Sequence, residues 1–234
     1  MCGRYNLITD GQALAEFFGL LQRFDPPRRY NIAPTQLAPV VRLVDGSPQA
    51  AMLRWGLIPG WSKTPQSHYQ MINARAETVA EKPAYRAAFR HRRCLVPATG
   101  FFEWSRQGAR KQPYNIQWHG GELMAFAGLW EHWRGDGEAQ PIDSFSIIVT
   151  DANDAIRPLH ERMPVILAPA DFQQWLAPGS VDTEKLQALL KPAPSAAISS
   201  YPVGLTVNNP GNDDPCCVAP SGSGSEPLRS PPAE

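Results

Sequence analysis

Apolar residues recur at helical spacing over residues 12–20 (QALAEFFGL), and the run ends on Gly-Leu, which predicts a short amphipathic helix. Two apolar runs, 38–44 and 50–58, flank Asp45-Gly46 and predict a β-hairpin. Residues 94–104, 113–118 and 122–130 read as successive strands with glycine-containing breaks, and 144–150 (SFSIIVT) as a buried strand. Residues 163–167 begin a further strand. Helices are expected at 80–91 (opening after Pro83), 153–160, 170–177 and 182–191, several next to acidic or Ser/Thr caps. Many strands with few, short helices predict an α+β domain, β-rich and compact, built on a curved, barrel-like sheet.

Composition changes this picture mainly at the C-terminal end. The chain has 234 residues and is 43% hydrophobic, enough for one sizeable core. From residue 208 onward it is rich in Pro, Ser, Gly and Asp. Such a segment buries too little apolar surface to offset its ordering entropy, so a folded domain over 2–212 and a disordered tail over 213–234 are expected. The formal charge is zero, but residues 208–234 carry one base (Arg229) and four acids (Asp213, Asp214, Glu226, Glu234), which leaves +3 on residues 1–207. Phosphate binding must then rest on a local patch. Cys2, Cys94, Cys216 and Cys217 lack zinc-ligand spacing and form no evident disulfide framework. With no signal peptide and no run of ~20 apolar residues, a cytoplasmic protein is expected, nucleoid-associated when bound to DNA.

Four places carry candidate chemistry. Met1-Cys2-Gly3-Arg4-Tyr5 puts a small residue second, which favours trimming of Met1 and exposure of Cys2 as the N-terminus. An N-terminal cysteine pairs an amine of pKa ~8 with a thiol of pKa ~8.5. Together they condense with an aldehyde, first to a Schiff base and then to a thiazolidine ring. Taken alone, Cys2 reads first as a small residue at a frayed end. Asn73, Arg75 and Glu77 alternate and share one side of an extended segment, as in a polar pocket wall or on an exposed strand. Glu103 lies between Phe102 and Trp104; it is either desolvated, with a raised pKa suited to acid–base work, or turned to solvent. A histidine at position 160 suits proton shuttling near pH 7, although a lone histidine is more often structural.

Two features bear on nucleic acid. Arg86, Arg90, His91, Arg92 and Arg93 form a basic cluster that is otherwise a solvated helix face. Trp55, Trp61 and Tyr69 surround the loop Pro59-Gly60-Trp61-Ser62-Lys63, and aromatics interleaved with bases suit single-stranded binding, Trp55 being the stronger candidate for the core.

Taken together these segments resemble the SRAP family (SOS-response-associated peptidase, or abasic-site processing proteins). The matching pieces are MCGRY at the start, YNIAPTQ at 30–36, RWGLIPGWS at 54–62, INARAET at 72–78, FRHRRCLVPATGFFEW at 89–104, TDAN at 150–153, LHERMP at 159–164 and VNNPGND at 207–213. The resemblance implies a compact SRAP domain in which Cys2 forms a thiazolidine with the ring-opened aldehyde of an abasic site in single-stranded DNA. Asn73, Glu103 and His160 complete the implied catalytic set. Arg4, Asn31, Trp61, Arg75, Thr150 and Arg162 are the implied DNA contacts. No cofactor or metal is expected, and the protein is expected to act as a monomer. Two rival readings stand beside this one: a cysteine peptidase that removes its own Met1, and a non-covalent single-stranded DNA-binding module.

Overall fold

A computed structural model describes residues 2–65, 70–105, 111–135, 140–179 and 182–222. The chain opens with β1 (Tyr5–Leu7), α1 (Gly11–Phe18) and β2 (Arg29–Ile32). The hairpin β3 (Leu37–Val44) and β4 (Ser47–Trp55) follows. Asp45 and Gly46 both take positive φ, 49° and 81°, the two-residue turn geometry that matches strand twist. Next come β5 (Asn73–Arg75), α2 (Arg86–His91), β6 (Arg93–Ala98), β7 (Gly100–Ser105), β8 (Gln112–Trp118), β9 (Met124–Trp133) and β10 (Ile142–Asp151). The chain continues through β11 (Arg162–Pro164), β12 (Ile166–Leu167), α3 (Phe172–Leu176), α4 (Thr183–Ala188) and β13 (Ile198–Pro202).

Strands β10, β4, β3, β6 and β9 pair in that order, and β9 pairs back onto β10, so they close a barrel. β5, β11 and β12 lengthen its walls. A second sheet runs β13-β8-β7-β1-β2. Closure leaves the barrel proper without free edges. Much of the core is shared by the two sheets: Tyr5 of β1 meets the edge of Trp55 at 5.1 Å, and Trp55 stacks on Phe145 at 6.3 Å. Cys2 belongs to this same cluster.

The expected barrel-like, β-rich α+β domain is the observed architecture, with differences that have local causes. The single strand expected over 94–104 is two strands in different sheets. The chain leaves the barrel at Thr99, whose hydroxyl accepts from the Ile8 amide at 2.9 Å and bonds Asn6 Oδ1 at 2.8 Å. At Gly100 the backbone closely approaches an amide pair, Asn6 and Asn115. The helix expected over 153–160 is a run of turns: Asn153 Oδ1 takes the Ile156 amide at 3.0 Å, while its Nδ2 donates to Ala193 O at 2.8 Å. Asparagine side chains compete with helical bonding in this way. The helix expected over 80–91 is helical only from Arg86, and the strand over 163–167 is divided into β11 and β12. Strands β1, β2 and β13 were not anticipated; they are too short to show alternation.

The expected tail begins too early. Asp213 is hydrogen-bonded to β2, Cys217 is buried, and Val203 bridges to Pro220. Only residues 223–234 of the expected tail fall outside the described residues, as do His68 and Tyr69 of the aromatic loop region.

A Cβ at Gly100 would lie 2.7 Å from Asn115 Oδ1 and 3.0 Å from Asn6 Nδ2. Gly100→Ala is therefore expected to cost about 1–3 kcal/mol by overpacking, read as a lower urea midpoint at unchanged m-value.

Candidate functional site

The N-terminal segment is a strand laid between two others. Tyr5 pairs with Ile32 of β2 on one side and with Phe101 of β7 on the other. The Phe102 amide donates to Arg4 O at 2.9 Å. Continuing this antiparallel register brings Gly3 alongside Glu103. The residues just before β1 are thus led past a carboxylate by backbone pairing alone.

Glu103 is buried, and burial pushes its carboxyl up to about 7, against a smaller opposing pull from the positive amino terminus of the chain. Cys2 has 0% exposure with Met1 attached. Burial, reinforced by the nearby Glu103 charge, pushes its thiol far above the ordinary range. At neutral pH the sulfur is therefore a thiol, not a thiolate.

Asn73 opens β5, which runs parallel to β10 with Asn73 opposite Ile147. Its Nδ2 donates to the Cys2 carbonyl at 2.8 Å, and its own carbonyl accepts from the Tyr85 hydroxyl at 3.0 Å. Tyr85 is a supporting residue that sequence reasoning missed; a tyrosine just ahead of a short helix carries no signal of its own. His160 ends the turns after β10. The Arg162 amide donates to its Nδ1 at 2.9 Å, so the neutral ring carries its proton on Nε2. Ile156 and Met163, on either side of His160 in sequence, pack in the same core cluster as Cys2. The structure thus bonds Cys2 to Asn73, sets it within electrostatic reach of Glu103, and brings His160 to the same region through β10, which carries β5 on one flank and β11 on the other.

The expected DNA contacts separate into two groups. Trp61 is 70% exposed on a loop braced by the Trp133 indole, which donates to Ser62 O at 2.7 Å. Arg75 is exposed next to Asn73. Both are available to a strand. Asn31 is not: it is fully buried, and its amide donates to the carbonyls of Val207, Asn209 and Asn212. Arg4 is half-buried and bonds Asn31 Oδ1 at 2.8 Å and Val207 O at 2.7 Å. Thr150 is buried in β10 opposite Met163. Arg162 is held by Glu77 at 2.6 Å and Asp151 at 3.2 Å. The basic cluster is also largely structural. Buried Arg93 donates to Trp175 O, Phe89 O, Arg90 O and Ala177 O at the ends of α2 and α3, and Arg92 pairs with Glu131. Arginines that close helix ends look the same in sequence as arginines on a binding face.

Residues 1–210 match the model of the family described as SOS response associated peptidase (SRAP). The chain belongs to the SRAP family. Among its relatives is the abasic site processing protein YoqW of Bacillus subtilis, 40% identical over 221 residues, covering 92% of this chain and 97% of the relative. Abasic site processing protein HMCES of Xenopus tropicalis is 33% identical over 220 residues, 81% of this chain and 65% of the relative. A solved structure of a protein from Bacteroides thetaiotaomicron superposes with a TM-score of 0.84 at 27% identity, covering 94% of this chain and 100% of that one.

The buried SRAP carboxylate has a thermodynamic consequence. Glu103 holds its proton to about pH 7 in the folded state, against an ordinary value of 4.5. Between these values the folded state binds more protons than the unfolded one, so stability falls as pH rises. Wild type is expected to lose on the order of 3 kcal/mol from pH 4.5 to 8 through this group. Denaturant unfolding across that range should give a flatter profile for Glu103→Gln.

Proposed function

We propose that this protein captures abasic sites in single-stranded DNA as a covalent adduct of Cys2, shielding the site from strand cleavage. The reading is supported chiefly by the Asn73 amide on the Cys2 carbonyl, with the raised-pKa Glu103 carboxyl in electrostatic reach of Cys2, in a chain whose relatives are named abasic site processing proteins.

Removal of Met1 converts the Cys2 peptide nitrogen to an amine. That amine adds to the C1′ aldehyde of the ring-opened sugar. Glu103, poised near neutrality, carries two protons in succession from the attacking nitrogen to the carbonyl oxygen, so that water leaves and an imine remains. Ring opening moves the C1′ hydroxyl proton to the ring oxygen, and the Nε2–H of neutral His160 stabilises that oxygen by hydrogen bonding. The Cys2 S–H then adds across the imine: sulfur bonds C1′, the proton moves to nitrogen, and the thiazolidine closes with no change of oxidation state. Asn73 holds the Cys2 carbonyl throughout, which keeps amine and thiol on one approach path. Arg75 contacts phosphate and Trp61 stacks on a base, a sequence-tolerant mode of binding by a monomer.

The thiol's environment favours this route over a cysteine peptidase. A peptidase thiolate needs a lowered pKa, whereas burial and Glu103 both raise that of Cys2.

Wild type mixed with abasic single-stranded DNA is expected to give an adduct that survives heat denaturation on a gel, with intact mass reporting loss of Met1. Cys2→Ser keeps the amine and should give only a heat-labile imine; a heat-stable Cys2→Ser adduct would falsify thiazolidine closure. In binding titrations, Trp61→Ala is expected to lose about 1–3 kcal/mol. Arg75→Ala should reduce the salt slope by about 1.

A further inference from the structure

We propose that Asp213 is a positioning residue for Cys2, acting through a clasp made with Asn31 and Arg4. The inference rests on the covalent reading above and deepens it by separating what aligns the sulfur from what holds the carbonyl.

The clasp ties three distant segments. Asp213 Oδ1 accepts the backbone amides of Tyr30 at 2.6 Å and Asn31 at 2.9 Å, while its other oxygen pairs with Arg29. This fixes β2 and delivers the Asn31 side chain inward. Asn31 Nδ2 donates to Asn212 O at 2.7 Å, Asn209 O at 3.1 Å and Val207 O at 3.2 Å, which closes the 207–213 loop around it. Asn31 Oδ1 then receives Arg4 Nη1 at 2.8 Å, and the same nitrogen donates to Val207 O at 2.7 Å. Trp104, whose indole donates to Asn208 Oδ1 at 2.7 Å, lies under the Arg4 guanidinium at 5.9 Å.

Arg4 is two residues from Cys2. Its carbonyl receives both the Phe102 amide, at 2.9 Å, and the Cys2 sulfur, at 4.0 Å. Cys2 is consequently held from two directions: Asn73 grips its carbonyl, and the clasp, through Arg4, sets where its sulfur points. Arg4 Nε is buried without a hydrogen-bond partner among the described residues. The guanidinium therefore sits where the clasp puts it, at a desolvation cost. Imine formation needs only the amine to reach the aldehyde. Ring closure also needs the thiol on line with the imine carbon, and displacement on the order of 1 Å is enough to slow such a step up to ~100-fold.

The experiment measures how adduct divides between two forms on abasic single-stranded DNA. Borohydride traps the imine; the thiazolidine is the heat-stable fraction without borohydride. Asp213→Ala is expected to shift the ratio toward imine about 10-fold, and Asp213→Asn, which keeps an acceptor but loses the Arg29 charge pairing, about 3-fold. Asp143→Ala is the control. It removes a carboxylate shared by Arg42 at 2.9 Å and His132 at 2.6 Å on the barrel, and should lower Tm without moving the ratio. A wild-type ratio in the folded Asp213 variants overturns the proposal, and so does an equal shift in Asp143→Ala. If Asp213→Ala fails to fold, Asp213→Asn decides alone. Absence of either adduct with wild type overturns the covalent reading itself, whereas a normal wild-type adduct with unshifted variants overturns only the clasp.

Discussion

The position of β1 between β2 and β7 is the constraint on which the rest depends. Three residues of strand, Tyr5–Leu7, are paired on both edges and buried in the shared core. A strand so short has little stability of its own. Here its register is held by Tyr5 wedged against Trp55 and Phe126, and by the Asn6–Asn115 bond across the sheet. A slip of one residue would turn Tyr5 out of the core. It would also carry Cys2 away from Glu103 and Asn73. Folding stability and site geometry are therefore set by the same contacts.

That arrangement makes an electrostatic environment the residues would not have in water. A carboxyl that ordinarily ionises well below neutrality holds its proton to about pH 7, and the neighbouring thiol is kept neutral. Both shifts come first from burial; at Cys2 the Glu103 charge adds to it, and at Glu103 the positive amino terminus opposes it. They are properties of the space between the two sheets. The buried carboxyl costs stability at neutral pH, because the folded state holds its proton longer than the unfolded one.

Much of the fold was legible in sequence where patterns were long. The β3–β4 hairpin was marked by Asp45-Gly46, and β10 by an unbroken apolar run. The failures cluster where a single side chain overrules a pattern. Asn153 turns an apparent helix into turns, and Gly100 lets an apparent strand change sheets. Among site residues, Glu103 was found because a glutamate between aromatics needs an explanation. Asn31 and Arg4 were recognised as meaningful for DNA, but their bonds to the 207–213 loop were not foreseen, since a polar residue that binds a loop and one that binds DNA have the same composition. Asp213 was assigned to a tail because the Pro, Ser and Gly around it bury little surface; its value lies in three hydrogen-bond and ionic partners on β2.

By itself the sequence determined the β-rich class, the hairpin, the ordered set of motifs and the identity of Cys2, Asn73, Glu103 and His160 as chemically able groups. These follow from local periodicity and residue type, which are readable one segment at a time. Barrel closure, the burial that shifts Glu103 and Cys2, the separation of available Trp61 and Arg75 from committed Asn31 and Arg93, and the clasp at Asp213 were decided only in three dimensions. Each depends on partners far apart in the chain: Glu103 lies about a hundred residues from Cys2, and Asp213 is 182 residues from Asn31. Local pattern carries no record of which distant backbone groups a side chain will meet.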